Sequence, residues 1–292
     1  MIKLIASDMD GTLLNDKMQV SAGNAAAIKA AQAAGIEFMV ATGRNITEAK
    51  PLIEEHGLTT AFIALNGARV YNEAGELKVD VPLGADILPQ IVQILQARHI
   101  YFELVTAKGV VSDNKVARIQ NVADLLVNLN PDTTYKIAVA LAAARLELMN
   151  ITYVDDYAPI LADPTTEVMK IIAFSSEGQA ALAEPQALLE ATGRLVVTSS
   201  ARTNIEINDI KAQKGFAVQA YAAQQGITMD EVMTIGDNLN DASMIRMAKY
   251  GVAMGNAIPA IKDLAWTTTA INTEDGVAQA ITKAIALNAS EK

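Results

Sequence analysis

Asp8 and Asp10 stand one residue apart in the stretch Lys3-Leu4-Ile5-Ala6-Ser7-Asp8-Met9-Asp10-Gly11-Thr12-Leu13-Leu14. Carboxylates this close repel each other when both are charged, so the pair calls for a compensating cation. Hard oxygen ligands suit Mg²⁺. Further along, Thr42-Gly43-Arg44, Lys214-Gly215 and Gly236-Asp237-Asn238-Leu239-Asn240-Asp241 add a hydroxyl, an ammonium and more carboxylates. Together these groups permit phosphoryl transfer. Asp8 can act as nucleophile and form an aspartyl phosphate. Asp10 can protonate the leaving oxygen and then deprotonate the attacking water. Asp8, Asp237 and waters would hold Mg²⁺, screening the nucleophile from an anionic phosphate. The Thr42 hydroxyl and the backbone N–H after it would take phosphate oxygens near a helix start. A cation must also face the phosphate. Lys214, placed at a defined helix start, is preferred to Lys211, which reads as a solvated surface charge. Arg44 is a weaker candidate, equally suited to a salt bridge or a substrate contact.

These side chains can act together only if the fold gathers them. The apolar run before Asp8 reads as a short buried strand. Ser21 is a candidate N-cap for an Ala-rich helix closed by Gly35. Residues 36–41 read as a second buried strand ending at Thr42, followed by a helix over 46–56. A third apolar segment, 61–65, ends at the turn signal Asn66-Gly67. This β-α-β-α-β order predicts a parallel, doubly wound or Rossmann-like sheet covered by helices. The same rhythm returns after Lys214, with a helix over 215–224 and a strand over 232–235. A helix to about 248, a strand over 251–254 and a helix over 258–264 follow. An extended segment over 266–268 and a last helix over 274–287 complete the core. Ligands of open parallel sheets bind beyond the carboxyl ends of the strands. The polar clusters fall repeatedly at those ends.

Between these halves the pattern changes. A helix over 87–98 leads to a hairpin, 101–105 with 110–111, around Lys108-Gly109. Residues 116–129 suit a helix, 135–148 are ambiguous and 157–164 read as loop. A strand over 169–174, a helix over 179–191 and an antiparallel pair, 195–198 with 204–207, follow. The expected organisation is a discontinuous core, 1–82 and 208–292, with an α+β module inserted over 83–207. Within it Glu103, Asp113 and Arg118 read as solvated. His56 and His99 are too few and too isolated for a metal site, and Trp266, Met244 and Met247 read as core packing.

The chain has 292 residues, 51% of them hydrophobic, which is enough for a core in each of two domains. A formal net charge of −10 argues against nucleic acid or an anionic membrane as partner. It also means that a phosphate must be held by local cations. The absence of cysteine excludes disulfides and thiol chemistry. The first residues show no secretory pattern. No apolar run reaches the roughly 18 residues of a membrane span. A soluble, cytoplasmic protein is expected.

These motifs together resemble the haloacid-dehalogenase-like (HAD) phosphatases, and within them the Cof-type sugar-phosphate phosphatases. Asp8 to Leu14 matches D-x-D-G-T-L-L without a gap, Thr42 the strand-end Thr or Ser, Lys214-Gly215 the Lys before a helix, and Gly236 to Asp241 G-D-x-x-N-D. Gly251 to Ala257 and Glu274 to Val277 look like the family's C-terminal signatures. The resemblance implies Asp8 as nucleophile and Asp10 as general acid/base. It implies Mg²⁺ on Asp8, the Asp10 main-chain carbonyl and Asp237, with phosphate contacts from the Met9 backbone, Thr42, Gly43, Lys214 and Asn240. Asp241 would orient Lys214 or a metal-bound water. The insert would be a C2-type cap that closes over the site and chooses the substrate. The expected function is a Mg²⁺-dependent phosphatase of small phosphorylated metabolites, sugar phosphates by preference. A phosphomutase or phosphotransferase would use the same aspartyl phosphate. A non-catalytic phosphometabolite sensor would have no use for Asp10 beside Asp8.

Overall fold

The structure, a computed structural model, describes residues 1–129, 132–146 and 151–290. The chain starts with β1 (Leu4–Asp8), α1 (Ala22–Ala33), β2 (Glu37–Ala41), α2 (Ile46–Glu54), β3 (Ala61–Ala64), β4 (Arg69–Tyr71) and β5 (Leu77–Asp80). It continues through α3 (Leu88–Gln96), β6 (Tyr101–Thr106), β7 (Gly109–Ser112), α4 (Lys115–Leu129), α5 (Tyr135–Leu146), β8 (Ile151–Tyr153) and α6 (Ala158–Ala162). Then come β9 (Val168–Phe174), α7 (Gln179–Glu190), β10 (Leu195–Thr198) and β11 (Asn204–Asp209). The last stretch holds α8 (Lys214–Gln224), β12 (Val232–Gly236), α9 (Ala242–Met247), β13 (Tyr250–Ala253), α10 (Pro259–Leu264), β14 (Thr267–Thr268) and α11 (Gly276–Ser290). Two compact units result: Met1–Val81 with Lys211–Lys292, and Pro82–Ile210.

The first unit is an α/β fold on one sheet of order β14-β13-β12-β1-β2-β3-β4-β5. Strands β14 to β3 are mutually parallel, while β4 and β5 add an antiparallel edge. The sequence pattern predicts a parallel sheet and assigns no strand over Leu77–Asp80. Three of its four residues are exposed, so it lacks the apolar signature of a buried strand. β1 lies at the centre between β2 and β12, and all five of its residues are buried. On one face Ile5, Phe38, Val40 and Met233 pack with α1 and α11 through Ile28, Ala31 and Ile281. On the other, Leu4, Ala6, Met39 and Ile63 meet Val218, Tyr221 and Ala222 of α8. Burying an apolar side chain such as Val218 contributes about 1.5–3 kcal/mol, which holds α8 against this face.

The inserted unit is α+β, with a sheet of order β10-β11-β9-β6-β7-β8 that is antiparallel except for β7 with β8. Phe102, Leu104, Ile171, Ile205 and Ile207 point to one face, where they pack on Ile91 and Leu95 of α3 and Leu182 and Leu189 of α7. Because strand side chains alternate, Tyr101, Glu103, Lys170 and Glu206 lie on the other face. Arg118 of α4 reaches Glu103 there at 3.1 Å, so Glu103 is buried and paired where solvation was expected. The ambiguous stretch 135–148 is helical through Leu146, packing Ala138 and Ala142 on Ala123, and 147–148 lie outside the described residues. The expected loop over 157–164 holds α6, whose five residues are too few to show a helical period. Trp266 is 46% exposed, with Lys283 over its ring and Tyr250 at its edge, not in the core. Among the described residues no helix is long and apolar enough to cross a membrane.

Candidate active site

The strand register brings the polar clusters together. Asp8 pairs with Ala41, the residue before Thr42, and Ser7 pairs with Ile235, which leads into Gly236 and Asp237. Three carboxyl ends therefore lie side by side at the middle of the sheet. The chain leaves β1 in a wide turn, Met9–Leu13, closed by the Leu14 amide on the Met9 carbonyl at 2.9 Å. Gly11 takes φ +75°, and a Cβ there would lie 2.7 Å from Asp237 Oδ2. Only glycine permits both the left-handed turn and that approach. Thr12 on the same turn donates to Asp237 Oδ1 at 2.7 Å.

Lys214 enters from the first turn of α8. Gly215 lets this helix touch α9, since a Cβ would fall 2.6 Å from the Ser243 backbone. The Lys214 ammonium is fully buried and donates to Asp8 Oδ1 and Asp241 Oδ1, each at 2.6 Å. Asp241 Oδ2 accepts the amides of Asp237 at 2.8 Å and Asn238 at 3.0 Å, so Asp241 folds its own loop while it holds Lys214.

Oxygens of Asp8, Asp237 and Asp241 lie within 4.8 Å of one another. Burial first, and then the neighbouring Asp241 carboxylate, push the Asp8 carboxyl well above the usual range, against the pull of Lys214. The same two causes raise Asp237 to about 6. Burial alone would lower Lys214, but Asp241 and Asp8 outweigh it and hold the ammonium above its ordinary value. One ammonium facing three carboxylates leaves two negative charges uncompensated, which a divalent cation would cancel. The donors are all hard oxygens, the kind Mg²⁺ takes. The residues present fit such an ion.

Asp10 points differently. Its carboxylate is gripped by Arg44 through Nε at 2.8 Å and a terminal nitrogen at 2.5 Å. Of the options open to Arg44, the structure realises the salt bridge. Thr42 is fully buried, and its hydroxyl oxygen accepts the Arg44 amide at 3.1 Å, which leaves its proton to donate. Gly43 forms the bend between them, and α2 starts only at Ile46. Met9 buries its side chain in the core, so only its backbone can face a ligand. Lys211 is exposed. Asn240 donates to Asn66 at 3.4 Å, while its buried Oδ1 has no hydrogen-bond partner among the described residues. Sequence reasoning passed over Asn66, taking Asn-Gly as a turn and nothing more. Its buried side chain and φ of +62° set it beside the Thr42 loop, where its amide meets the Thr42 carbonyl at 3.0 Å.

The family model of the haloacid dehalogenase-like hydrolases matches residues 5–281. Phosphatase YwpJ of Bacillus subtilis is 33% identical over 279 residues, covering 95% of this chain and 98% of that protein. The 5-amino-6-(5-phospho-D-ribitylamino)uracil phosphatase YcsE of the same organism is 31% identical over 280 residues, covering 96% and 94%. A solved structure of a haloacid dehalogenase-like hydrolase from B. subtilis superposes with a TM-score of 0.85 at 32% identity, covering 96% of this chain and 99% of that one.

Proposed function

This chain belongs to the haloacid dehalogenase-like hydrolase family and is a phosphatase, and from that premise we propose that it is a Mg²⁺-dependent hydrolase of small phosphorylated metabolites, sugar phosphates by preference. The observation that carries this reading is the charge imbalance at the strand ends, where Lys214 donates to Asp8 and Asp241 beside a third carboxylate, Asp237, while Arg44 is taken up by Asp10. The YcsE relative, by its name, acts on a phosphate borne by a sugar-alcohol chain, which supports the substrate class.

Asp8, fixed at the end of β1 and held by Lys214, attacks phosphorus and displaces the leaving alcohol, giving an aspartyl phosphate. Asp10, on the next turn, is paired with Arg44 as a carboxylate. Protonated and turned from Arg44 it would give its proton to the leaving oxygen, and as the resulting carboxylate it would take one from the water that cleaves the intermediate. The Met9 and Gly43 backbones, the Thr42 hydroxyl, Lys214 and Asn240 hold the equatorial oxygens, where charge spreads in the transition state. Asp8, the Asp10 main-chain carbonyl and Asp237 would hold Mg²⁺, which when bound screens the nucleophile from the anionic phosphate. Asp241 keeps Lys214 in place. Residues Pro82–Ile210, inserted between β5 and α8, serve in this reading as a C2-type cap that selects the substrate.

The test is phosphate release from p-nitrophenyl phosphate and a sugar-phosphate panel, with Mg²⁺ and with EDTA. Metal-dependent release that disappears in Asp8→Asn is expected. A wild type inactive on every phosphate would reject the reading.

A further inference from the structure

The turn Met9–Leu13 is held by side chains from distant parts of the chain. Asn256 donates to the Gly11 carbonyl at 2.7 Å, Asn24 to the Leu13 carbonyl at 3.2 Å and Asn272 to the Leu14 carbonyl at 2.9 Å. The anchors are themselves tied down. Asn256 Oδ1 accepts the Asn272 amide at 3.0 Å, and Asn24 Oδ1 accepts the Ala278 amide at 2.9 Å. Three carboxamides thus take the backbone carbonyls of Gly11, which directly follows Asp10, of Leu13 at the end of the turn and of Leu14 just beyond it. The segment from Asn256 to Ala278 acts as a clamp on the turn.

Such a clamp has a physical purpose here. Gly11 has no side chain to restrict it, so its peptide groups reorient more cheaply than those of any other residue. A reorientation there would swing the adjacent Asp10 carboxyl away from the atom it protonates. General acid catalysis requires hydrogen-bond reach to that atom, and a misplacement of about 1 Å can cost as much as a hundredfold in rate. We propose that Asn256 and Asn272 are positioning residues for Asp10, Asn256 fixing the Gly11 carbonyl of its turn and Asn272 holding Asn256 and the Leu14 carbonyl where the turn ends, so that the Asp10 carboxyl meets the leaving oxygen. This inference rests on the reading of Asp10 as general acid/base. Asn24 belongs to the same clamp but is fully buried, and its loss would also disturb packing. Asn256 is exposed, which makes it the cleaner test.

The discriminating readout is the leaving group. p-Nitrophenolate departs without a proton, whereas a sugar alkoxide needs one. In Asn256→Ala, kcat/KM for the fastest-hydrolysed sugar phosphate should fall about tenfold or more, and that for p-nitrophenyl phosphate no more than about twofold. The sugar-phosphate loss should lie in kcat, with KM little changed. Asn256→Asp keeps the shape but offers an acceptor to an acceptor, and should behave like Asn256→Ala. Asn272→Ala should show the same selectivity at smaller size, because its backbone amide still holds Asn256. Equal losses on both substrates, tracking a fall in Tm, would mean a merely structural clamp and overturn the inference. Unchanged kinetics on both would overturn it too. A wild type that hydrolyses neither substrate would reject the phosphatase reading itself. An active wild type whose Asp10→Asn variant lacks leaving-group selectivity would reject the acid/base role, and the inference with it.

Discussion

The two units bury charge in opposite ways. In the inserted unit the buried carboxylates among the described residues each meet a cation: Glu206 faces Lys170 at 2.9 Å and Glu103 faces Arg118 at 3.1 Å. Burial is what raises the Glu103 carboxyl, and Arg118 and the Tyr101 hydroxyl pull against it. In the first unit burial raises Asp8 too, but Asp241 and Asp237 push in the same direction. A paired buried charge can be a neutral structural choice. A cluster that stays short of positive charge has a cost that bound protons or an added cation relieve, and such a cluster is a candidate working site. The difference lies in the balance of charge, not in depth of burial.

The largest effect is expected from removing the proposed nucleophile. Asp8→Asn should lower kcat by about a thousandfold or more without lowering the Tm of the metal-free protein, because it removes one of the repelling carboxylates. Steady-state assay and a thermal melt check both halves. Lys214→Met comes next, with a loss of about 10²–10³ in kcat. It should also destabilise by about 3–5 kcal/mol at neutral pH, since two buried carboxylates lose their cation; denaturant titration reads this. In the inserted unit, Glu206→Gln should cost about 3 kcal/mol by the same argument. There the double variant Lys170→Met with Glu206→Leu should recover most of that loss. No double replacement of Asp8 and Lys214 should recover activity.

A smaller effect follows from pH. The Asp237 carboxyl is raised to about 6, above its ordinary value of 3.8. Between those values the folded metal-free chain keeps a proton that the unfolded chain has released, so stability falls as pH rises through this window and stays lower above it. Asp8 adds to the same trend. Mg²⁺ held by the same carboxylates would compete with these protons. It should therefore raise Tm by a few degrees at about pH 8 and much less at about pH 5. Equal stabilisation at both values would show that the ion binds elsewhere.

Much of the first unit was legible in the sequence because its strands are short apolar runs that end in chemistry. Asp8, Thr42 and Asp237 each follow such a run, and a parallel sheet can only bring those ends together. Lys214 was legible from its place before an apolar helix. What was not legible depends on closure over long separations. The hydrogen bond from Asn256 to Gly11 spans 245 positions, and nothing local marks Asn256 as a partner of the turn. The grip of Arg44 on Asp10 could be named only as one option among several. In the inserted unit, alternation along β6 tells that Glu103 and Leu104 face opposite sides. It does not tell that α4 covers the Glu103 side. β8 and α6, of three and five residues, are too short to carry a period at all.

In the proposed mechanism Asp8 takes the phosphoryl group. Rapid acid quench of the enzyme turning over a ³²P-labelled substrate, followed by peptide mapping, tests it directly. Acid-stable label is expected on the peptide that carries Asp8, retained in Asp10→Asn and absent in Asp8→Asn. Label on any other residue, or turnover that persists in Asp8→Asn, would contradict it.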